Sequence, residues 1–380
     1  MNLKHFILIP RDLYMLTLFV SVGYMLTGEL AINPENSVLL LLEGISSLLL
    51  ITLLLLTFQK YSFRENIVIL LALFLSAVVG TINGRWFEMI AACILVVGAR
   101  NILYREILKC YLTIGSFVCI SMVTLSLLGL KSDKVAVNMS SENFLLDELS
   151  VRHSFGYVWP TDFATHVFFI LLVLWILKNG KLSHIMRILY AIISVLIIVY
   201  SDSRLGAGCI MLLILASFFS LDRGNVGISK CYFFAIWCVP LMAITIFLLT
   251  IEYDSTNLNW ITLDLLLSRR LSISQSAIQE AGVSLWGTEY IMYGGDNSGA
   301  LYNFIDSSYL QLIVLYGIVY TVIYLLLFSI VGYQSYKRCD RVILVALLVA
   351  GFSGIISQHF LQIYMNPLLV ALTAKHSSVQ

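Results

Sequence analysis

Five arginines in this chain border apolar blocks on the side where basic residues are disfavoured. They are Arg85 in TINGRW, Arg152 in SVRHSFGYVWP, Arg204 in YSDSRLGAG, and the adjacent Arg269 and Arg270 in LLLSRRLSIS. A guanidinium stays charged at any physiological pH, and its planar fork can bond a phosphate through two N–H groups at once. Gathered around one cavity, such groups suit an anionic, lipid-attached ligand such as a diphosphate. The alternative is a set of unrelated headgroup contacts, and for Arg204 either a snorkelling side chain or a pair with Asp202.

The proton acceptors in the same regions are Asp162, Asp202, Glu289, Asp296 and Asp306. Asp306 is best placed, in NFIDSSYLQL, where a long polar loop re-enters an apolar block. A carboxylate there can take a proton from an attacking hydroxyl while arginines stabilise charge on a leaving diphosphate. It can equally cap the helix that begins at Ser307 and Ser308. His153 and His359 are secondary candidates, since a lone histidine is more often hydrogen-bonded structure than catalyst. Asp306, Arg204 and Arg152 are the expected catalytic group; Arg269, Arg270, Arg85, His153, Tyr309 and His359 are the expected substrate contacts. Trp159, Tyr157, Trp260, Trp286, Tyr290 and Tyr293 crowd the same loops, where aromatic belts and sugar stacking make the same demand.

These residues must be positioned by a membrane scaffold. Of 380 residues, 59% are hydrophobic and 12% charged, against roughly 25% charged in soluble proteins. Blocks near 12–30, 38–58, 66–83, 86–99, 110–130, 161–178, 185–201, 203–221, 231–251, 305–333, 342–357 and 359–374 approach the ~20 residues that span a bilayer. The expected fold is an all-α polytopic protein of 11 or 12 transmembrane helices in a single domain over 1–380. With the N-terminus in the cytoplasm, Arg85, Lys131, Lys134, Arg152, Arg204, Arg269 and Arg270 fall outside, leaving sixteen of the 23 basic residues inside. That is the positive-inside bias. Two outer loops are then long, 131–160 and 252–304. The second contains SRRLSISQSAIQEAG, expected to form a short interfacial helix over about Leu271–Ala281 ended by Gly282, followed by a pliable YGGDNSG.

The net charge of +1 carries no polyanion signature, so no nucleic-acid partner is expected. The seven cysteines show neither CxxC nor metal-ligand spacing and read as small buried hydrophobes. No P-loop or HExxH motif occurs, and neither metal nor cofactor is expected. The first block lacks a convincing cleavage site and is expected to be retained as a helix.

Four patches carry a resemblance. RHSFGYVWPTDFA, YSDSRLGAG, LLLSRRLSISQSAIQEAGVSLWG and FIDSSYLQLIVLYGIV resemble, in order and topological side, segments of the bacterial polysaccharide repeat-unit polymerases (Wzy-like) and the related O-antigen ligases. The resemblance implies a metal-independent membrane glycosyltransferase. Its donor and acceptor would be undecaprenyl-diphosphate-linked glycans, with a flippase and a chain-length regulator as partners in the bacterial cytoplasmic membrane. Where many relatives carry His-Pro-Asn, this chain has Trp159, Pro160 and Thr161; where ligases often carry His-Asn, it has Asp306 and Ser307. A histidine base therefore does not transfer, and Asp306 takes its place. A ligase, sharing donor and fold, is the nearest alternative. A lipid-linked oligosaccharide flippase is the alternative of another class, and would use mid-block charges such as Glu43 and Glu88.

Overall fold

A computed structural model describes residues 9–31, 37–131, 133, 135–138, 150–219, 231–294 and 302–376. Lys4, Lys134, Arg223, Lys230, Asp296 and most of YGGDNSG lie outside the described residues.

The chain is an all-α membrane protein. Among the described residues, seven helices are long and apolar enough to cross a bilayer: Ser37–Phe58, Phe63–Ile82, Tyr104–Leu127, Pro160–Leu177, His184–Ser201, Tyr232–Ile251 and Ser308–Lys337. Three shorter apolar helices, Trp86–Gly98, Arg204–Ala216 and Arg341–Ser353, join them, as does the 19-residue Ile9–Thr27. Their starts follow local chemistry. Ser62 and Glu65 form a reciprocal capping box at Phe63. Pro160 occupies the first turn, where its missing N–H costs nothing, and Asp162 accepts from the Trp159 N–H. Large side chains such as Phe74 and Ile185 are 69% and 73% exposed, as lipid-facing positions require.

Contacts divide the chain into two compact units. The first comprises 1–57, 98–222 and 374–380. At its centre lies Pro160–Leu177, whose Ala164, Phe168, Phe169 and Trp175 are buried. Beside it, Val135–Asn138 and Ser150–His153 pair as an antiparallel two-stranded sheet, within a stretch whose sequence reads only as a loop. Asp133 fixes its exit, accepting from the Ser154 and Phe155 N–H groups.

The second unit comprises 58–97 and 223–373. Here Arg270–Ala281 is the expected short helix, closed by Gly282 at φ +73°. Two departures from simple helices matter. Ser308–Lys337 is interrupted: Leu312–Tyr316 winds as a π-helix, and Gly317 leaves the helix at φ +81°. The segment Ser284–Thr288 fills the break. Ser284 and Leu285 carbonyls accept from Ile318 and Val319 N–H, and Thr288 Oγ1 donates to the Val314 carbonyl.

The second departure corrects the last apolar block. Residues 359–374 do not form a helix of bilayer length; only two short 3-10 turns, Gln358–Phe360 and Pro367–Leu372, occur there. Pro367 has no N–H to continue a helix and biases Asn366 towards extended backbone; Asn366 sits at φ −107°, ψ 98°, and its side chain caps Leu368. The segment is tied at one end by Ser308 Oγ, which donates to the Ser357 carbonyl at 2.5 Å. At the other end Thr373 Oγ1 donates to the Val96 carbonyl. Irregular backbone at membrane depth is tolerated only inside protein or along a cavity, and this segment is largely buried.

Candidate functional site

The strongest polar constellation lies in the second unit, just before the helix Ser308–Lys337. Asp306 precedes that helix, and Arg270 opens the helix Arg270–Ala281. Arg270 Nη1 donates to Asp306 Oδ2, and the two side chains are only 13% and 17% exposed. Tyr302 Oη donates to the same Oδ2 at 2.5 Å and accepts from Arg270 Nη1 at 3.2 Å. Among the described residues Oδ1 accepts no hydrogen bond, so the two carboxylate oxygens are held differently. Asp306 is not the helix cap: that position belongs to Ser307.

Burial pushes the Asp306 carboxyl above its ordinary range, against the pull of Arg270, Tyr302 and His359. A carboxylate moved that way is a better proton acceptor near neutral pH. His359 is buried, its Nδ1 2.9 Å from Ser357 Oγ. Gln311, fully buried, donates from Nε2 to the Ile305 carbonyl at 2.6 Å and to Gln358 Oε1 at 3.1 Å. It thereby ties the backbone before Asp306 to the segment carrying His359.

The remaining candidates separate. Arg269 stands exposed at φ +61°, in the capping position just before the helix that Arg270 opens. Tyr309 is buried and its hydroxyl donates to the Gly351 carbonyl at 2.7 Å, a packing role. Arg85 donates to Tyr316 Oη at 3.4 Å, a partner different from those of Arg270.

In the first unit, Arg152 Nε donates to the Ser201 carbonyl at 3.0 Å, and Ser201 Oγ donates to the His153 carbonyl at 3.1 Å. His153 Nδ1 lies 2.5 Å from Asp133 Oδ2. Arg204 is 83% exposed with Nε 3.8 Å from Asp202 Oδ1, and Asp202 itself ends the preceding helix at φ +46°. Arg152, His153 and Arg204 thus surround one helix junction. Asp162 is buried and engaged as a cap, near the buried Glu29, whose carboxylate oxygen lies within 4.8 Å of it.

Tyr302, Gln311, Asp133 and Glu29 were not singled out in the sequence. The Asn366-Pro367 dipeptide is a turn signal that marks the irregular segment. Two of the resemblance patches do meet: the Trp286-Gly287 pair packs into the break at Gly317, where a Cβ on Gly317 would lie 2.2 Å from the Gly287 nitrogen.

Compared with protein-family models, with curated proteins and with solved structures, the chain matches none.

Proposed function

We propose that this chain polymerises undecaprenyl-diphosphate-linked oligosaccharide repeat units into a surface polysaccharide (capsule, O-antigen or exopolysaccharide) at the outer face of a bacterial cytoplasmic membrane. The observation that supports it most is Asp306: a largely buried carboxylate with Oδ2 held by Arg270 and Tyr302, Oδ1 without a hydrogen bond among the described residues, and its affinity for a proton raised.

In this reading the acceptor sugar's hydroxyl gives its proton to Asp306 Oδ1 as its oxygen bonds to the anomeric carbon of the donor. The bond from that carbon to the diphosphate breaks, and undecaprenyl diphosphate leaves with the electron pair, inverting the centre. The donor is already activated by its diphosphate, so the protein supplies alignment and charge stabilisation. Exposed Arg269, next to Arg270 in the same unit as Asp306, is the candidate diphosphate contact.

The scaffold proposed with it keeps the N-terminus in the cytoplasm and residues 131–160 and 252–304 as outer loops. The helix Arg270–Ala281 lies at the outer surface, and the irregular segment after Ser353 stands where a twelfth helix was expected. A flippase delivering the units and a chain-length regulator are its proposed partners. Cells lacking the chain should accumulate single repeat units on the lipid and lose long polymer. Accumulated full-length polymer on the lipid would indicate a ligase, and unchanged glycans would remove the proposal.

A further inference from the structure

Both irregular stretches of the second unit border one cavity. A cleft of about 550 Å³ is lined by Trp286 and Tyr316 at the helix break, by Tyr364 of the irregular segment, and by Glu88 across from them. In membrane transporters, discontinuous helices and unwound backbone often build the site that holds a ligand or ion. The cleft continues along a ladder of rings on one helix face: Tyr316 to Tyr320 at 5.6 Å and 26°, Tyr320 to Tyr324 at 6.0 Å and 21°. Eight residues of helix make that ladder about 12 Å long. Its wall includes Leu71 and Phe74, which are 61% and 69% exposed, so the cleft opens sideways towards lipid.

Glu88 lines this apolar channel, and Arg85, just outside its lining, reaches the lining residue Tyr316. Arg85 also interacts electrostatically with Glu88, three residues on, and with Tyr364. A purely anionic headgroup would gain the arginine but face the carboxylate. A headgroup that carries a phosphate and an ammonium matches both signs, and an acyl chain matches the ladder.

We propose that this cleft is a binding site for a zwitterionic phospholipid such as phosphatidylethanolamine, with its phosphate on Arg85, its ammonium on Glu88 and one acyl chain along Tyr316, Tyr320 and Tyr324. The site is separate from Asp306 in its residues, and it stands whether or not the chain is a polymerase.

Trp286 reports on the cleft directly. The full chain is placed in phosphatidylcholine nanodiscs containing a small fraction of phosphatidylethanolamine or phosphatidylglycerol with brominated acyl chains, which quench nearby indoles. Subtracting the signal of Trp286→Phe isolates Trp286 from the other tryptophans. Phosphatidylethanolamine should reach half-maximal quenching at a roughly fivefold lower fraction than phosphatidylglycerol, the scale of one charge contact at a membrane surface. Glu88→Gln should erase that preference, and Arg85→Gln should weaken both lipids. Equal quenching by the two lipids in the unaltered protein overturns the proposal, and needs no variant to fold. So does a preference that survives Glu88→Gln.

Discussion

Asp306 and Arg270 show how much one carboxylate depends on its neighbours. The pair is shielded from solvent, where removing one partner leaves an uncompensated charge, a loss of about 3–5 kcal/mol. Arg270→Met should therefore lower the thermal unfolding midpoint in detergent markedly, and adding Asp306→Leu should recover most of that loss while activity stays absent. The same neighbours set the pH profile. Burial raises the Asp306 pKa while Arg270 and Tyr302 hold it down. A base must be deprotonated to act, so activity should fall on the acid side at a pH above the ordinary carboxylate range. Tyr302→Phe removes one of the restraining groups, so the acid limb of the rate profile should move to higher pH, with a milder loss at alkaline pH. A profile unchanged by Tyr302→Phe would detach that hydroxyl from the base.

At the scale of elements, the broken helix Ser308–Lys337 and its filler are the feature on which the site rests. Gly287 and Gly317 both adopt positive φ, and an added Cβ would come within 2.0 Å of the Leu315 carbonyl oxygen and 2.2 Å of the Gly287 nitrogen respectively. Gly287→Ala or Gly317→Ala should each unseat the Ser284–Thr288 segment and lower the unfolding midpoint. Gly44→Ala, where the new methyl meets nothing within 4 Å, should be neutral within about 1 kcal/mol. Helices were legible because 3.6-residue spirals of apolar side chains are the simplest way to satisfy backbone groups in lipid; eleven of the twelve apolar blocks form them. The twelfth was illegible from hydropathy alone, because a stretch buried in protein needs the same apolar residues as one facing lipid. Only Asn366-Pro367 distinguishes it. Asp306 and Arg270 could be found as charges that border apolar blocks. Tyr302 could not, because nothing local shows that Oδ2 needs a second donor.

For the whole molecule, the two units carry different parts of the expected site. Arg152, His153 and Arg204 cluster at one helix junction of the first, while Arg270, Asp306 and His359 share a polar neighbourhood in the second. Arg85 and Tyr309 have other partners. Topological side alone made five arginines look equivalent; burial and hydrogen bonding distinguish them, and these depend on contacts between residues far apart in sequence. The central claim is that Asp306 is the proton acceptor of a glycan-polymerising centre. The most direct test uses purified chain in liposomes supplied only with undecaprenyl-diphosphate-linked repeat units, with products resolved by size. The unaltered protein should build a ladder of longer lipid-linked chains, and Asp306→Asn, assayed well below its own lowered unfolding midpoint, should leave single units. A ladder of the same length and rate from Asp306→Asn would contradict the account.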